Sequence, residues 1–240
     1  MLLKVLLKIS IGQCLMYDVV FISCGKHDIH SITQNAINSL ISSEDNIRFN
    51  IIVVESEKSL DYKNCSVIYP SGPFNYNDYI NQAAAHCKGE FLTFCNNDLI
   101  FHSGWFLSHL LAFEQHPTVQ SLSPKCPRCR GAGYKNHENF KSGVYFGFRI
   151  GYEVAGWCIT IRRHIFDIMG GLDTSTFFWY SDNNYAMQLK KSGYLHGLNA
   201  DSLVTHLFGK SHCLLNDTEH ATTGQKKFFI NNWTKTIKYL

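Results

Sequence analysis

The stretch GEFLTFCNNDLIF, residues 89–101, decides how the chain is read. A short apolar run with the look of a strand buried on both faces stops at Asn96, Asn97 and Asp98, and the chain then turns apolar again. Polar side chains at the end of a buried strand need a reason. In wound α/β sheets that reason is commonly a ligand, because the loops at the carboxyl ends of the strands can carry polar groups without burying them unpaired.

Working outward, the same pattern repeats. DVVFIS, FNIIVVES and CSVIYP are β-branched or continuous apolar runs, and each reads as a strand. HDIHSITQNAINSLISS places Ile29, Ile32, Ala36, Ile37, Leu40 and Ile41 on one helical face, and NDYINQAAAHC is also helical. Ser103 and Gly104 open a helix, WFLSHLLAFEQH, which Pro117 closes before the strand-like TVQSLSP. GVYFGFRI and GWCITIRR resume strand character, RHIFDIMGG is a short helix, and SDNNYAMQLKKSG is a capped helix ending at Gly193. Residues 125–143 are polar and basic, with the composition of a mobile loop.

A length of 240 residues suits one α/β domain with a sizeable core. The net charge of +3 and the lack of a dense Lys/Arg run give no nucleic-acid track or acidic-membrane patch. Nine scattered cysteines suit small buried thiols in a reducing compartment better than a disulfide framework. Cys126 and Cys129, with His137 nearby, have the spacing of half a zinc site, but no second CxxC completes it, and a loop with two free thiols is the plainer reading. Residues 1–16, interrupted by Lys4 and Lys8, are too short to span a bilayer and lack a small-residue cleavage site; no function is placed in this extension. The tail GQKKFFINNWTKTIKYL reads as an amphipathic helix that covers the sheet or touches a membrane or acceptor.

No GxGxxG, P-loop, HExxH or GxSxG signature is present. What remains is Asp98, Asp182 and His206, each at the end of an element. Singly, each has an ordinary structural explanation as a turn residue, an N-cap or a core histidine. Together, a carboxylate and an imidazole can hold a divalent ion while the second carboxylate acts as base.

YDVVFISCGK, IIVVES, GPFNYNDYINQAAAHCKGEFLTFCNND, SGWFLSHLLAFEQHPTVQSLSPK, GWCITIRRHIFDIMGGLDTSTFFWYSDNNYAMQLKKSGY and SLVTHLFGKS occur in that order. The set resembles the inverting glycosyltransferases of family two, over nearly everything from Tyr17 to about Trp233. The resemblance implies a single GT-A domain over residues 17–240, with a mostly parallel central sheet flanked by helices. It divides into a nucleotide-binding half (17–125) and an acceptor and catalytic half (126–240). It also implies transfer of a sugar from a nucleotide-diphosphate sugar, with inversion, using Mn2+ or Mg2+.

By the same resemblance, Asp98 and His206 meet the cation, with Ser211 following in the same late element, and Asn96 stands where the family has its first acid. Ser23, Cys24, Glu55, Asn81, Asn96, Asn97 and Asp98 line the nucleotide-sugar site, while Asn75 and Asn77 hold the turn before a helix. Asp182 is the base, with Ser181 in place of the family's Glu. Trp157, Trp179 and Tyr180 are either sugar-stacking or ordinary core residues. Arg162 and Arg163 either approach phosphate or sit at a solvated strand end. The loop 125–140 is placed to fold over donor or acceptor. The implied acceptor is a glycan or lipid-linked glycan, with a protein or modified nucleic-acid base as the other options. The implied location is cytoplasmic, with peripheral contact at the inner face of a membrane and no transmembrane segment. A nucleotidyltransferase and a degenerate, non-catalytic binding module are the competing readings, the second kept alive by Asn96 and Ser181.

Overall fold

Strand β1 (Met16–Ser23) shows how the core is divided. Side chains alternate across a strand, and here both sets are buried. Val19 and Phe21 join one apolar cluster with Ala36, Ile37, Leu40, Trp105 and Phe106. Val20 and Ile22 join a second with Ile80, Ala83, Phe166, Tyr185 and Leu189. A strand sandwiched in this way must lie in the middle of a sheet covered on both faces. The computed structural model describes residues 16–23, 27–128 and 135–207.

Around β1 run α1 (His27–Ser42), β2 (Arg48–Glu55), β3 (Ser66–Ile68), α2 (Tyr76–Ala84), β4 (Phe91–Asn96), β5 (Leu99–Phe101), α3 (Trp105–Gln115) and β6 (Val119–Lys125). A 3-10 turn at Lys135–Asn139 follows, then β7 (Val144–Phe146), β8 (Cys158–Arg162), α4 (Arg163–Ile168), α5 (Ser181–Lys191) and β9 (Leu195–His206). The strand order is β3-β2-β1-β4-β8-β6-β9-β5, with β7 also paired to β9. The expected parallel arrangement holds for β3, β2, β1 and β4. Beyond them the sheet is mixed: β8 runs antiparallel to both β4 and β6, while β6 and β9 are parallel.

Two strands went unread in the sequence. β5 is three residues long, and β9 alternates too loosely to stand out because it contacts β5, β6 and β7 at once, with register shifts at Val119/Ser121 and Pro124/Lys125. On α1 the buried face is Ile29, Thr33, Ala36, Ile37 and Leu40, whereas Ile41 is exposed. The Ser103–Gly104 start of α3 is confirmed. Gly104 takes φ +75, and the cap comes from a distance: buried Glu44 accepts the N–H groups of Phe106 and Leu107 at 2.6 and 3.2 Å. A carboxylate there satisfies two orphan donors and faces the positive end of the helix.

The described parts of the expected mobile loop are anchored. His137 is fully buried, accepting the Cys126 N–H at Nδ1 and contacting the Tyr152 carbonyl through Nε2, and Lys125 Nζ donates to the Phe140 carbonyl at 2.6 Å. Cys87, Cys95 and Cys158 are free and buried as expected, and Cys65 is free and half-buried. Cys126, expected as a free thiol, is disulfide-bonded. The readings placed on residues 1–15, Cys24, Cys129, Ser211 and the tail lie outside the described residues. No helix among the described residues is long and apolar enough to cross a membrane.

Candidate active site

The antiparallel pairing of β5 with β9 sets Leu99 opposite His206, and the Leu207 N–H donates to the Asp98 carbonyl at 2.9 Å. Asp98 and His206, 108 positions apart, therefore meet: Oδ1 lies 3.2 Å from Nε2. Asp98 is 2 % exposed, and its Oδ1 makes no hydrogen bond among the described residues. Trp157 stacks on the His206 ring, with centroids 5.3 Å apart and planes 20° from parallel. At 2 % exposure Trp157 serves as a wall that orients the imidazole, not as an open sugar platform.

Two adjacent ligands of an octahedral ion with bonds of about 2.1 Å lie roughly 3 Å apart, so the Asp98–His206 spacing fits one divalent cation. No group of three or more His, Cys, Asp or Glu gathers among the described residues. Two protein ligands suit a cation whose other ligands come from substrate phosphates and water.

Asp182 sits in the first turn of α5, just after Tyr180, a bulky residue held at φ +66. Such a left-handed aromatic costs on the order of 1 kcal/mol and marks an over-determined backbone. Gly156 explains part of the determination, because a Cβ there would lie 2.5 Å from Asp182 Cβ and 2.8 Å from its Oδ2. Burial pushes the Asp182 carboxyl up from its ordinary value, partly countered by the N–H groups of Asn183 and Asp182. The result is a more basic carboxylate than a solvated one. The dipeptide Gly156–Trp157 thus touches both residues: Gly156 packs on Asp182, and Trp157 on His206.

Three asparagines fasten the segment leading to Asp182. Asn75 Nδ2 donates to the Thr174 carbonyl at 2.9 Å, Asn77 Nδ2 to Asp173 at 2.6 Å and Asn81 Nδ2 to Leu172 at 2.8 Å. Asn81 Oδ1 also accepts the Leu172 N–H at 2.8 Å, beside Gly171 at φ +85, where a Cβ would lie 2.7 Å from that oxygen. Asn81 is therefore part of the frame of the site. Asn75 does hold its turn as expected, accepting the Asp78 N–H as N-cap of α2, and it also reaches across to Thr174.

The ends of β1 and β2 form a buried polar floor. Ser23, 1 % exposed, lies 3.2 Å from both the Thr33 and Tyr62 hydroxyls, and Asn97 Nδ2 donates to Thr33 at 2.9 Å. Glu55 is fully buried: Oε2 accepts the Tyr62 hydroxyl at 2.6 Å and Oε1 accepts the Glu57 N–H at 2.8 Å. His30 stacks on Tyr62 at 4.7 Å. Ser23, Glu55 and Asn97 thus come together beneath the surface, with Thr33 and Tyr62 as partners that sequence reading missed.

Asn96 is partly exposed, and its Oδ1 accepts the Tyr76 hydroxyl at 3.1 Å. Burial, then the neighbouring Cys95, Cys158, Asp182 and Asp98, raise the Tyr76 phenol well above its ordinary pKa. Tyr76 therefore lies within electrostatic reach of both carboxylates. Trp179 and Tyr180 are partly exposed on the rim preceding Asp182. Arg162 and Arg163 are elsewhere. Arg162 is level with Phe91 at the start of β4, about 17 Å of strand from Asn96. Their guanidinium groups bind the carbonyls of Val119, Phe113, Ala84 and Cys87, so the phosphate option fails and they act as structural ties.

Comparison with known proteins converges on one family. The family model described as "Glycosyl transferase family 2" matches residues 30–168. An uncharacterized protein y4gI of Sinorhizobium fredii is 28 % identical over 148 residues, covering 53 % of this chain and 16 % of that protein. The O-antigen biosynthesis protein RfbC of Myxococcus xanthus is 26 % identical over 154 residues, covering 56 % of this chain and 12 % of RfbC. The chain thus matches only a small part of the length of these relatives. Among solved structures, GalNAc-T7 with UDP, GalNAc and Mn2+ superposes with a TM-score of 0.64 at 14 % identity, covering 81 % of this chain and 44 % of that one. The mannosyltransferase PcManGT from Pyrobaculum calidifontis, in complex with GDP-Man and Mn2+, gives 0.55 at 13 % identity, covering 82 % and 59 %. These likenesses establish the GT-A fold. With the family model matching more than half of its length, the chain belongs to glycosyl transferase family 2.

Proposed function

We propose that this chain moves a sugar from a nucleoside-diphosphate sugar to an acceptor hydroxyl in one inverting displacement. The observation that carries the reading is the meeting of Asp98 and His206 at 3.2 Å, with Trp157 stacked on His206 and the adjoining Gly156 packed against Asp182. Asp98 and His206 would hold Mn2+ or Mg2+. When bound, such an ion supplies positive charge to the leaving diphosphate. The Asp182 carboxylate takes the proton of the acceptor hydroxyl as its oxygen attacks the anomeric carbon, and the bond to the diphosphate breaks on the opposite face. The asparagine clamp and Gly156 hold that carboxylate in place, which is where positioning lowers the barrier. The polar floor of Ser23, Thr33, Tyr62, Glu55 and Asn97 supports the nucleoside, with Glu55 acting through Tyr62. Trp179 and Tyr180 form the acceptor-side rim.

Family membership and the likeness to an O-antigen biosynthesis protein favour a glycan or lipid-linked glycan as acceptor, met in the cytoplasm or at the inner face of a membrane. The test is titration with UDP, GDP, dTDP and CDP, with and without Mn2+, on the wild type and on Asp98→Ala. Binding of one nucleotide that needs both the metal and Asp98 is expected. No binding under any condition sinks the reading. Binding without turnover of the matching nucleotide sugar would leave a non-catalytic module, and release of pyrophosphate would make the protein a nucleotidyltransferase.

A further inference from the structure

Asn96 has two faces to offer a ligand, and the structure assigns one of them elsewhere. Its Oδ1 is engaged by the Tyr76 hydroxyl at 3.1 Å, while its Nδ2 has no partner among the described residues. The neighbouring Asn97 is turned into the buried floor, where its Nδ2 donates to Thr33. Asn96 is partly exposed, and the next polar side chain on the loop is the carboxylate of Asp98. With Oδ1 already accepting the Tyr76 hydroxyl, the groups of this amide that have no partner are its two N–H donors. Tyr76 is itself anchored, because its own N–H donates to the Phe177 carbonyl at 2.7 Å, at the foot of the segment that leads to Asp182.

Resting on the proposed function, we propose that Tyr76 is a positioning residue that turns Asn96 into a hydrogen-bond donor to an oxygen of the donor's diphosphate. Asn96 is then not a ligand of the cation. The negative charge near the diphosphate is confined to Asp98 and Asp182, and Asn96 adds two donors where an acid would repel phosphate oxygens. Tyr76 links the two halves of the site: one end holds the diphosphate contact, and the other holds the segment that carries the base.

The two possible roles of Asn96 respond to one substitution with opposite signs. Asn96→Asp keeps an oxygen for the Tyr76 hydroxyl, but it replaces the two N–H donors with a negative charge. The measurement is the affinity of the nucleoside diphosphate that binds wild type best, over a range of Mn2+ concentrations and in EDTA. If Asn96 donates, Asn96→Asp weakens binding by about ten-fold or more at every Mn2+ concentration, with EDTA as the metal-free control in which wild type does not bind. Tyr76→Phe weakens binding by about five-fold, since it only frees the amide to rotate. Circular dichroism and the melting temperature of both variants are expected to stay close to wild type. If Asn96→Asp instead tightens Mn2+-dependent binding, or Tyr76→Phe changes nothing, the assignment is wrong while the proposed function stands. A wild type that binds no nucleotide at any Mn2+ concentration overturns both.

Discussion

The contact between Gly156 and Asp182 gives the sharpest test of the site. Carbon atoms rest about 3.5–4.0 Å apart, whereas a methyl group at position 156 would start 2.5 Å from Asp182 Cβ and 2.8 Å from Oδ2. In Gly156→Ala the carboxylate must therefore retreat by about 1 Å, or the turn before β8 must shift by as much. Misplacement of a reacting group on that scale costs roughly 100-fold in rate, and overpacking of this kind costs about 1–3 kcal/mol of stability. The three atoms nearest the added methyl all belong to Asp182, so metal-dependent nucleotide binding is expected to stay within about two-fold of wild type, in keeping with an effect confined to Asp182. The assay pairs turnover of the matching nucleotide sugar with denaturant unfolding, for Gly156→Ala, Asp182→Gly and the double variant. Removing the Asp182 side chain also removes the clash, so the double variant should be more stable than the sum of the single losses implies. Turnover within three-fold of wild type in Gly156→Ala, or strictly additive stabilities, would refute the claim that this glycine sets the position of Asp182, the proposed base.

Three further outcomes are expected. Because burial raises the Asp182 carboxyl, ionising it works against folding. Its contribution to stability is present below the ordinary value of 3.8 and lost as pH rises through the raised one, so Asp182→Asn should be inactive yet more stable than wild type at neutral pH. Denaturant unfolding should show that gain shrinking to nothing as pH falls to the ordinary aspartate range. Asn81→Ala leaves the Leu172 N–H and carbonyl without their partner and is expected to cost about 1–3 kcal/mol by chemical denaturation, with turnover falling more than nucleotide affinity. Glu44→Ala removes the acceptor for two N–H groups at the start of α3 and should lower stability by about 1–2 kcal/mol, while Mn2+-dependent nucleotide binding is unchanged.

Much of this architecture was legible in residue order, and what escaped did so for physical reasons. The strands around Val19, Val53 and Phe94 announce themselves because burial on both faces demands continuous apolar runs. The antiparallel course of β8 does not, since CITIR reads the same in either direction and the reversal is set by the long connection that precedes it. β9 carries Asn199, Asp201 and Ser202 at a bulge, which breaks the alternation that would have marked it. Asp98, Asp182 and His206 were visible as polar residues at element ends, helped by the family resemblance. Tyr76 and Gly156 were not. A tyrosine among aromatic neighbours looks like core, and a glycine whose importance lies in the space it leaves carries no side chain to notice. Glu55 was placed correctly on its strand, but its depth depends on Tyr62, seven residues on, which only the folded chain brings beneath it.

The asparagine clamp bears on how such a site can change over time. Asn75, Asn77 and Asn81 grip main-chain atoms of Thr174, Asp173 and Leu172, which every residue type supplies. The identity of an exposed position such as Thr174 is therefore largely uncoupled from the fastening of the loop. The outward chemistry of this approach to Asp182 can therefore change without loosening the carboxylate itself. The fastening rests instead on three side-chain amides of a different segment, so a change at Asn75, Asn77 or Asn81 loosens a loop that a change at Thr174 leaves tied.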